Sequence, residues 1–133
     1  MPHIRVPKAA ELLGVSDDTV RRWIEQGQLV ATDERGHKVV DGKDLARFAT
    51  ERAVPAPDPS SVGRSARNRF VGLVTAVKAD VVMAQVEMQC GPHRVVSLMS
   101  SEAVEELGLE PGSIAVAVVK ATMVVVETPV GER

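Results

Sequence analysis

Val6-Pro7-Lys8-Ala9-Ala10-Glu11-Leu12-Leu13-Gly14-Val15-Ser16 leads directly into Asp17-Asp18-Thr19-Val20-Arg21-Arg22-Trp23-Ile24-Glu25-Gln26-Gly27. Helix punctuation falls twice within this stretch. Pro7 suits a first helical turn, where its missing N–H is no loss, and Lys8 to Leu13 are good helix formers. Gly14 stands where a helix closes in the left-handed region. Ser16 predicts an N-cap for the next helix, with Asp17 and Asp18 in its first turn, where the helix dipole favours negative charge. Val20, Trp23 and Ile24 recur at helical spacing and form one apolar face, so Trp23 reads as core rather than as a stacking platform. Gly27 ends this second helix. Two helices joined by Gly14-Val15-Ser16 predict a helix-turn-helix.

Beyond it, Leu29-Val30-Ala31-Thr32, the polar turn Asp33-Glu34-Arg35-Gly36 and His37-Lys38-Val39-Val40 predict a two-stranded wing. Asp41 is placed to cap a third helix whose Leu45, Phe48 and Ala49 face the core. The string Val6 to Ser16, with Thr19-Val20-Arg21-Arg22-Trp23-Ile24-Glu25-Gln26-Gly27-Gln28-Leu29, resembles the MerR/excisionase-type winged helix-turn-helix over about the first fifty residues. In such a fold the second helix enters the major groove of double-stranded DNA, its N-terminal residues nearest the bases. The resemblance therefore offers Ser16, Asp17, Thr19, Arg21 and Arg22 to DNA, with Arg35 and Lys38 on the wing reaching the adjacent backbone. Arg donates two bonds to guanine, Thr bonds phosphate or a base edge, and Asp17 caps the helix or accepts from cytosine.

The composition changes near Val54. Three prolines alternate in Val54-Pro55-Ala56-Pro57-Asp58-Pro59-Ser60-Ser61-Val62-Gly63, which predicts an extended linker. The expected domains are 1–53, a winged helix-turn-helix, and 65–128, a β module, with a Pro/Ser-rich linker at 54–64. Residues 1–53 carry nine Lys/Arg and nine Asp/Glu, and the whole chain has a net charge of -2. Any DNA contact must therefore come from a local basic patch.

From Arg69 onward the pattern is one of short strands: Arg69–Lys78, Val81–Cys90 after an Ala79-Asp80 turn, Arg94–Ser100, Ser113–Lys120 and Met123–Glu127. Ser101 is placed to cap a short helix, Glu102–Leu107, that Gly108 ends. Five strands and one helix predict an OB-like barrel. The fold class expected is α+β: a mainly α winged helix-turn-helix followed by an OB-like five-stranded β-barrel with one short helix. Residues 70–77, 114–119 and 123–126 are apolar on both strand faces. A solitary barrel needs a polar outer face, so this surplus predicts a second chain against the outside.

Ser65-Ala66-Arg67-Asn68, Gly72, Ser101-Glu102-Ala103-Val104-Glu105-Glu106-Leu107-Gly108-Leu109, Glu110-Pro111-Gly112 and Val118-Val119-Lys120-Ala121-Thr122 together resemble the molbindin, or Mop/TOBE, domain. The resemblance implies molybdate or tungstate sites at subunit interfaces of a homo-oligomer, dimer or hexamer. Such an oxyanion presents only acceptors, so its site needs N–H and O–H donors and positive charge. Ser65 and Thr122 offer hydroxyls, Arg67 and Lys120 charged donors, and Asn68 an amide. Main-chain N–H groups near Ala66 and Ala121 could complete a nest. Ser100 and Ser101, ahead of the short helix, form a second group.

The chain has 133 residues, of which 44% are hydrophobic, enough for packed cores. No apolar run is long enough to cross a membrane, and the first residues do not read as a signal peptide. One cysteine, Cys90, excludes an internal disulfide and fits a cytoplasmic protein. It stands near a turn with no activating base. His3, His37 and His93 lack metal-ligand spacing, so no metal cation is expected. Met83, Met88, Met99 and Met123 read as core or interface filler. With no nucleophile–base pair or phosphate loop, an enzyme is not expected. The expected function is a molybdate- or tungstate-responsive DNA-binding regulator. The alternatives are a molybdate store whose helix-turn-helix serves protein contact, and a constitutive DNA-binding protein with a structural barrel. Aromatics are 2% of the chain, too few for a stacking-based single-strand binder.

Overall fold

Glycine and serine set the helix boundaries of the first unit in the computed structural model, which describes residues 2–54, 57–59 and 67–129. These divide into two units, the first ending at Val54 and the second at Pro129. In the first, α1 (Val6–Leu13) closes on Gly14 at φ 70, whose N–H returns to Ala10 and Glu11 carbonyls. Ser16 caps α2 (Asp17–Glu25), its Oγ accepting from the Thr19 N–H at 3.2 Å. Gln26 takes the C-cap, one residue before the expected stop at Gly27.

The wing is tighter than its polar residues imply. β2 (Ala31–Glu34) and β3 (His37–Asp41) pair up to Glu34 opposite His37. That leaves a two-residue turn, Arg35 at φ 51 and Gly36 at φ 79. Positive φ at both positions matches the right-handed twist of a hairpin. A further strand, β1 (His3–Arg5), pairs with the other edge of β3, so the sheet order is β1-β3-β2. Three residues are too few to show alternation, so the sequence does not announce β1. α3 is Gly42–Arg52; Asp41 occupies its N-cap without a side-chain cap bond. Val20, Trp23, Leu29, Val40, Leu45 and Phe48 fill the core, with Ala9 and Ala10 letting α1 lie close. The Arg52 guanidinium covers the Trp23 ring at 4.3 Å from its centroid. Trp23 is thus core, as its spacing indicates.

In the second unit, β4 (Asn68–Ala79), β5 (Met83–Cys90), β6 (His93–Ser100) and β7 (Ile114–Val119) form an antiparallel sheet in the order β6-β5-β4-β7, with α4 (Ser101–Leu107) between β6 and β7. β4 is long enough for two partners. Its residues 68–73 pair with β7 and 73–79 with β5, and the register shifts between Val74 and Ala76. The unpaired Thr75 bends the strand there, and the sheet curls. Gly72 lies at this crossing: a Cβ on it would stand 2.3 Å from the Gln89 carbonyl oxygen. Asp80 turns the chain by accepting from Val82 and Met83 N–H groups, both at 2.8 Å, so β5 begins two residues later than expected. Those two bonds hold the Asp80 carboxyl below the ordinary carboxylate range.

The α+β class, the helix-turn-helix and the OB-like form are as the sequence predicts, but the sheet among the described residues has four strands, not five. Met123 ends a 3₁₀ turn, Ala121–Met123, and residues 124–129 pair with no strand among the described residues. Their Val-rich pattern is strand-like, but a strand exists only through a partner edge. The α4 cap is Ser100 rather than Ser101, because the Ser101 hydroxyl donates to the Asp80 carbonyl at 2.8 Å. The core comprises Val74, Ala84, Val86, Met88, Cys90 and Val104. Cys90 is buried beside its turn, and burial pushes its thiol pKa up. Among the other methionines Met99 is partly buried, whereas Met83 and Met123 are exposed.

Candidate functional site

Two faces carry the chemistry. On the first unit, α2 presents Arg21 and Arg22 to solvent, opposite buried Val20 and Trp23. Ser16 and Thr19 at its start are occupied with each other: beside the cap bond, their hydroxyl oxygens lie 2.9 Å apart. Asp17 is exposed in the first turn. Arg35 stands at the tip of the wing. Arg21 and Lys38, far apart in sequence, line one cleft of about 300 Å³. Arg5 and His37 share that cleft, and the Arg5 guanidinium donates to His37 Nδ1 at 3.0 Å. Sequence reading singled out neither. Their juxtaposition depends on β1 pairing with β3 across more than thirty residues, which no local pattern encodes.

On the second unit, Asn68 is paired in register with Val119, and its amide donates to the Val119 carbonyl at 3.1 Å. This last rung of β4–β7 brings together the chain ends that carry the remaining candidates. Arg67 precedes Asn68, and Lys120, Ala121 and Thr122 follow Val119; Arg67, Lys120, Ala121 and Thr122 are exposed. The set is rich in donors and contains no carboxylate. Ser65 and Ala66 lie outside the described residues. Ser100 and Ser101 are not part of this group. Ser100 opposes Met83 at the far end of the sheet, and β4 alone is 12 residues long, a contour of roughly 40 Å at about 3.3 Å per residue. Both serine hydroxyls are also engaged locally, one in the α4 cap and one on the Asp80 carbonyl. Among the described residues, no group of three or more His, Cys, Asp or Glu could hold a metal ion. No helix there is long and apolar enough to cross a membrane.

The curled sheet leaves a third feature. Its edge strands β6 and β7 face one another without pairing and line a cavity of about 480 Å³ with Val95, Val96, Met99, Ile114, Val116 and Val118. Much apolar surface around it is open: Ile114 is 68% exposed and Leu98 70%.

The second unit matches the family described as the TOBE domain over residues 64–126. Residues 4–53 match a helix-turn-helix domain family. Molybdenum-pterin-binding protein 2 of Clostridium pasteurianum is 41% identical over 63 residues, 47% of this chain and 93% of that protein. The molybdenum transport protein ModE of Herbaspirillum seropedicae is 36% identical over 69 residues, 51% of this chain and 26% of that one. Among solved structures, apo MopII from Clostridium pasteurianum is 39% identical, covers 50% of this chain and 100% of its own, and has a TM-score of 0.47. The cytoplasmic molybdate-binding protein ModG, with molybdate bound, is 40% identical over 48% of this chain and 46% of its own, at a TM-score of 0.45. The chain belongs to the TOBE-domain family, and its TOBE domain follows a helix-turn-helix domain.

Proposed function

We propose that this protein is a cytoplasmic, homo-oligomeric DNA-binding regulator that responds to molybdate or tungstate. One observation carries the reading: the Asn68–Val119 rung gathers Arg67, Asn68, Lys120, Ala121 and Thr122 at one end of a sheet, in a chain that also carries a helix-turn-helix. A tetrahedral dianion offers only acceptors, and this set offers two cations, an amide N–H, a hydroxyl and main-chain N–H groups. Because Arg67, Lys120, Ala121 and Thr122 are exposed in one chain, a second copy completes the site and excludes water. Ser65 and Ala66 belong to the same set, and Ser100 and Ser101 reach it only from a neighbouring chain. α2, with Ser16, Asp17, Thr19, Arg21 and Arg22, binds duplex DNA, with Arg35 and Lys38 on its backbone. Regulation then requires that anion-bound and free states differ in DNA affinity. No catalytic step belongs to this reading.

Calorimetry with molybdate and tungstate, with sulfate as control, tests the anion site. Arg67→Ala and Lys120→Ala each remove most of the anion binding while DNA retention is unchanged. Equal heats from wild type and both variants sink the site. Band-shift titration on the protein's own promoter DNA tests the other half, and absence of salt-dependent retention sinks it. A second reading is molybdate storage. It is supported by molybdenum-pterin-binding protein 2, a relative matched over 93% of its length by 47% of this chain. It wins if anion binds and DNA does not.

A further inference from the structure

We infer that Arg5, held in place by His37, grips a backbone phosphate of duplex DNA in the cleft it shares with Arg21 and Lys38. This rests on the DNA-binding reading and adds a site to it.

The cleft is built from three separate parts of the first unit: Arg5 at the end of β1, Arg21 on α2, and Asp33, Gly36, His37 and Lys38 on the wing. Three cationic side chains line it against one carboxylate, Asp33, which lies directly across the β2–β3 pair from Lys38. Guanidinium and ammonium groups only donate, so the ligand they fit carries only acceptors. The Arg5–His37 contact has one possible sense. Arg cannot accept, so His37 Nδ1 accepts at 3.0 Å. That bond uses a single guanidinium N–H and leaves the others for a second partner. It also removes part of the rotational freedom that a lone exposed arginine would lose on binding. His37 therefore acts as a positioning residue. On the same sheet the Glu34 carboxylate, in register with His37, is engaged by His3 at 2.6 Å. The left-handed Gly36 bears no side chain, and a Cβ there would meet nothing within 4 Å, so that part of the cleft is open.

A phosphodiester fits this cleft better than a base edge. Phosphate contacts come from Arg and Lys and set orientation, whereas base readout needs mixed donors and acceptors. The cleft joins α2 to the wing, so a phosphate held there fixes how α2 enters the groove.

The test uses the full-length chain and duplex DNA, with affinity measured over a range of salt concentrations. Arg5→Ala is expected to weaken binding about tenfold on every duplex, specific or random, and to make the slope of log affinity on log salt shallower by about 0.9. Arg5→Lys keeps the slope and part of the affinity. His37→Ala weakens wild type but adds little to Arg5→Ala, the non-additivity of a positioning role. Lys43→Ala, outside the cleft, leaves slope and affinity within twofold of wild type. An Arg5→Ala protein with wild-type affinity and slope overturns the inference while leaving DNA binding intact. A wild type that binds no duplex overturns both. Inorganic phosphate is the last arm. If it displaces DNA from wild type at matched ionic strength but not from Arg5→Ala, the cleft is a free-anion site and the assignment to DNA is wrong.

Discussion

Two single residues in this chain show how much one position can decide. Gly72 is required by distance, since any Cβ there would sit 2.3 Å from a main-chain oxygen of β5. Gly72→Ala is expected to cost about 3 kcal/mol, the upper part of the overpacking range, because backbone has to move. Chemical denaturation reads it, and wild-type stability would remove the claim. Asp44 decides an electrostatic question. Its pKa is held below the usual value chiefly by the hydrogen bond from Arg47, against the opposing effect of burial, with help from the Val30 N–H. A depressed folded-state pKa stabilises above the unfolded value and is lost as pH falls through the folded one. The stabilisation is therefore complete above about pH 4 and disappears below it. Asp44→Asn should flatten the acid limb of a stability–pH curve, measured by denaturation at a series of pH values. Arg47 is half exposed, so the effect is small. Asp44 was unremarkable in sequence, and Gly72 was singled out only as part of the Mop/TOBE resemblance. A glycine in a strand hints at close approach, but what it approaches lies on another strand.

At the scale of elements, helix boundaries were the most legible. Gly14 and Ser16 act through local hydrogen bonds within a few residues, so spacing sufficed to place α1 and α2. Ser16→Ala should lower stability by about 1 kcal/mol through loss of the cap and of the Thr19 contact. Thermal unfolding measures it, and an unchanged Tm counts against the cap. Strands were legible in composition and less so in pairing. The alternation of Ala84, Val86, Met88 and Cys90 shows the inward face of β5. Nothing local announced β1, the two-residue wing turn or the fate of the last apolar run. Arg67, Asn68, Lys120, Ala121 and Thr122 were recognisable as a set by resemblance. Their meeting is a property of the β4–β7 register, and the same register separates them from Ser100 and Ser101.

For the whole molecule, the open sheet and the unpaired tail pose one problem. β6 and β7 are edges facing a cavity of about 480 Å³, and Val125 and Val126, on a tail with no strand partner among the described residues, are 83% and 88% exposed. Open edges beside apolar surface favour association with another chain. Val125→Asp is therefore expected to shift the protein toward smaller species in sedimentation, while each unit stays folded by circular dichroism. A wild type that sediments as a monomer with or without molybdate would contradict the oligomeric reading. The sequence alone determined the α+β class, both helix boundaries of the helix-turn-helix, the buried face of α2 and the excess of apolar strand surface. These follow from propensities and periodicities that act over a few residues. Only the tertiary structure decided that Arg5 and His37 join Arg21 and Lys38, that Asn68 abuts Val119, and that the last apolar run has no strand partner among the described residues. Each depends on strand register between distant segments, and register is selected by burial of whole faces rather than by any local preference.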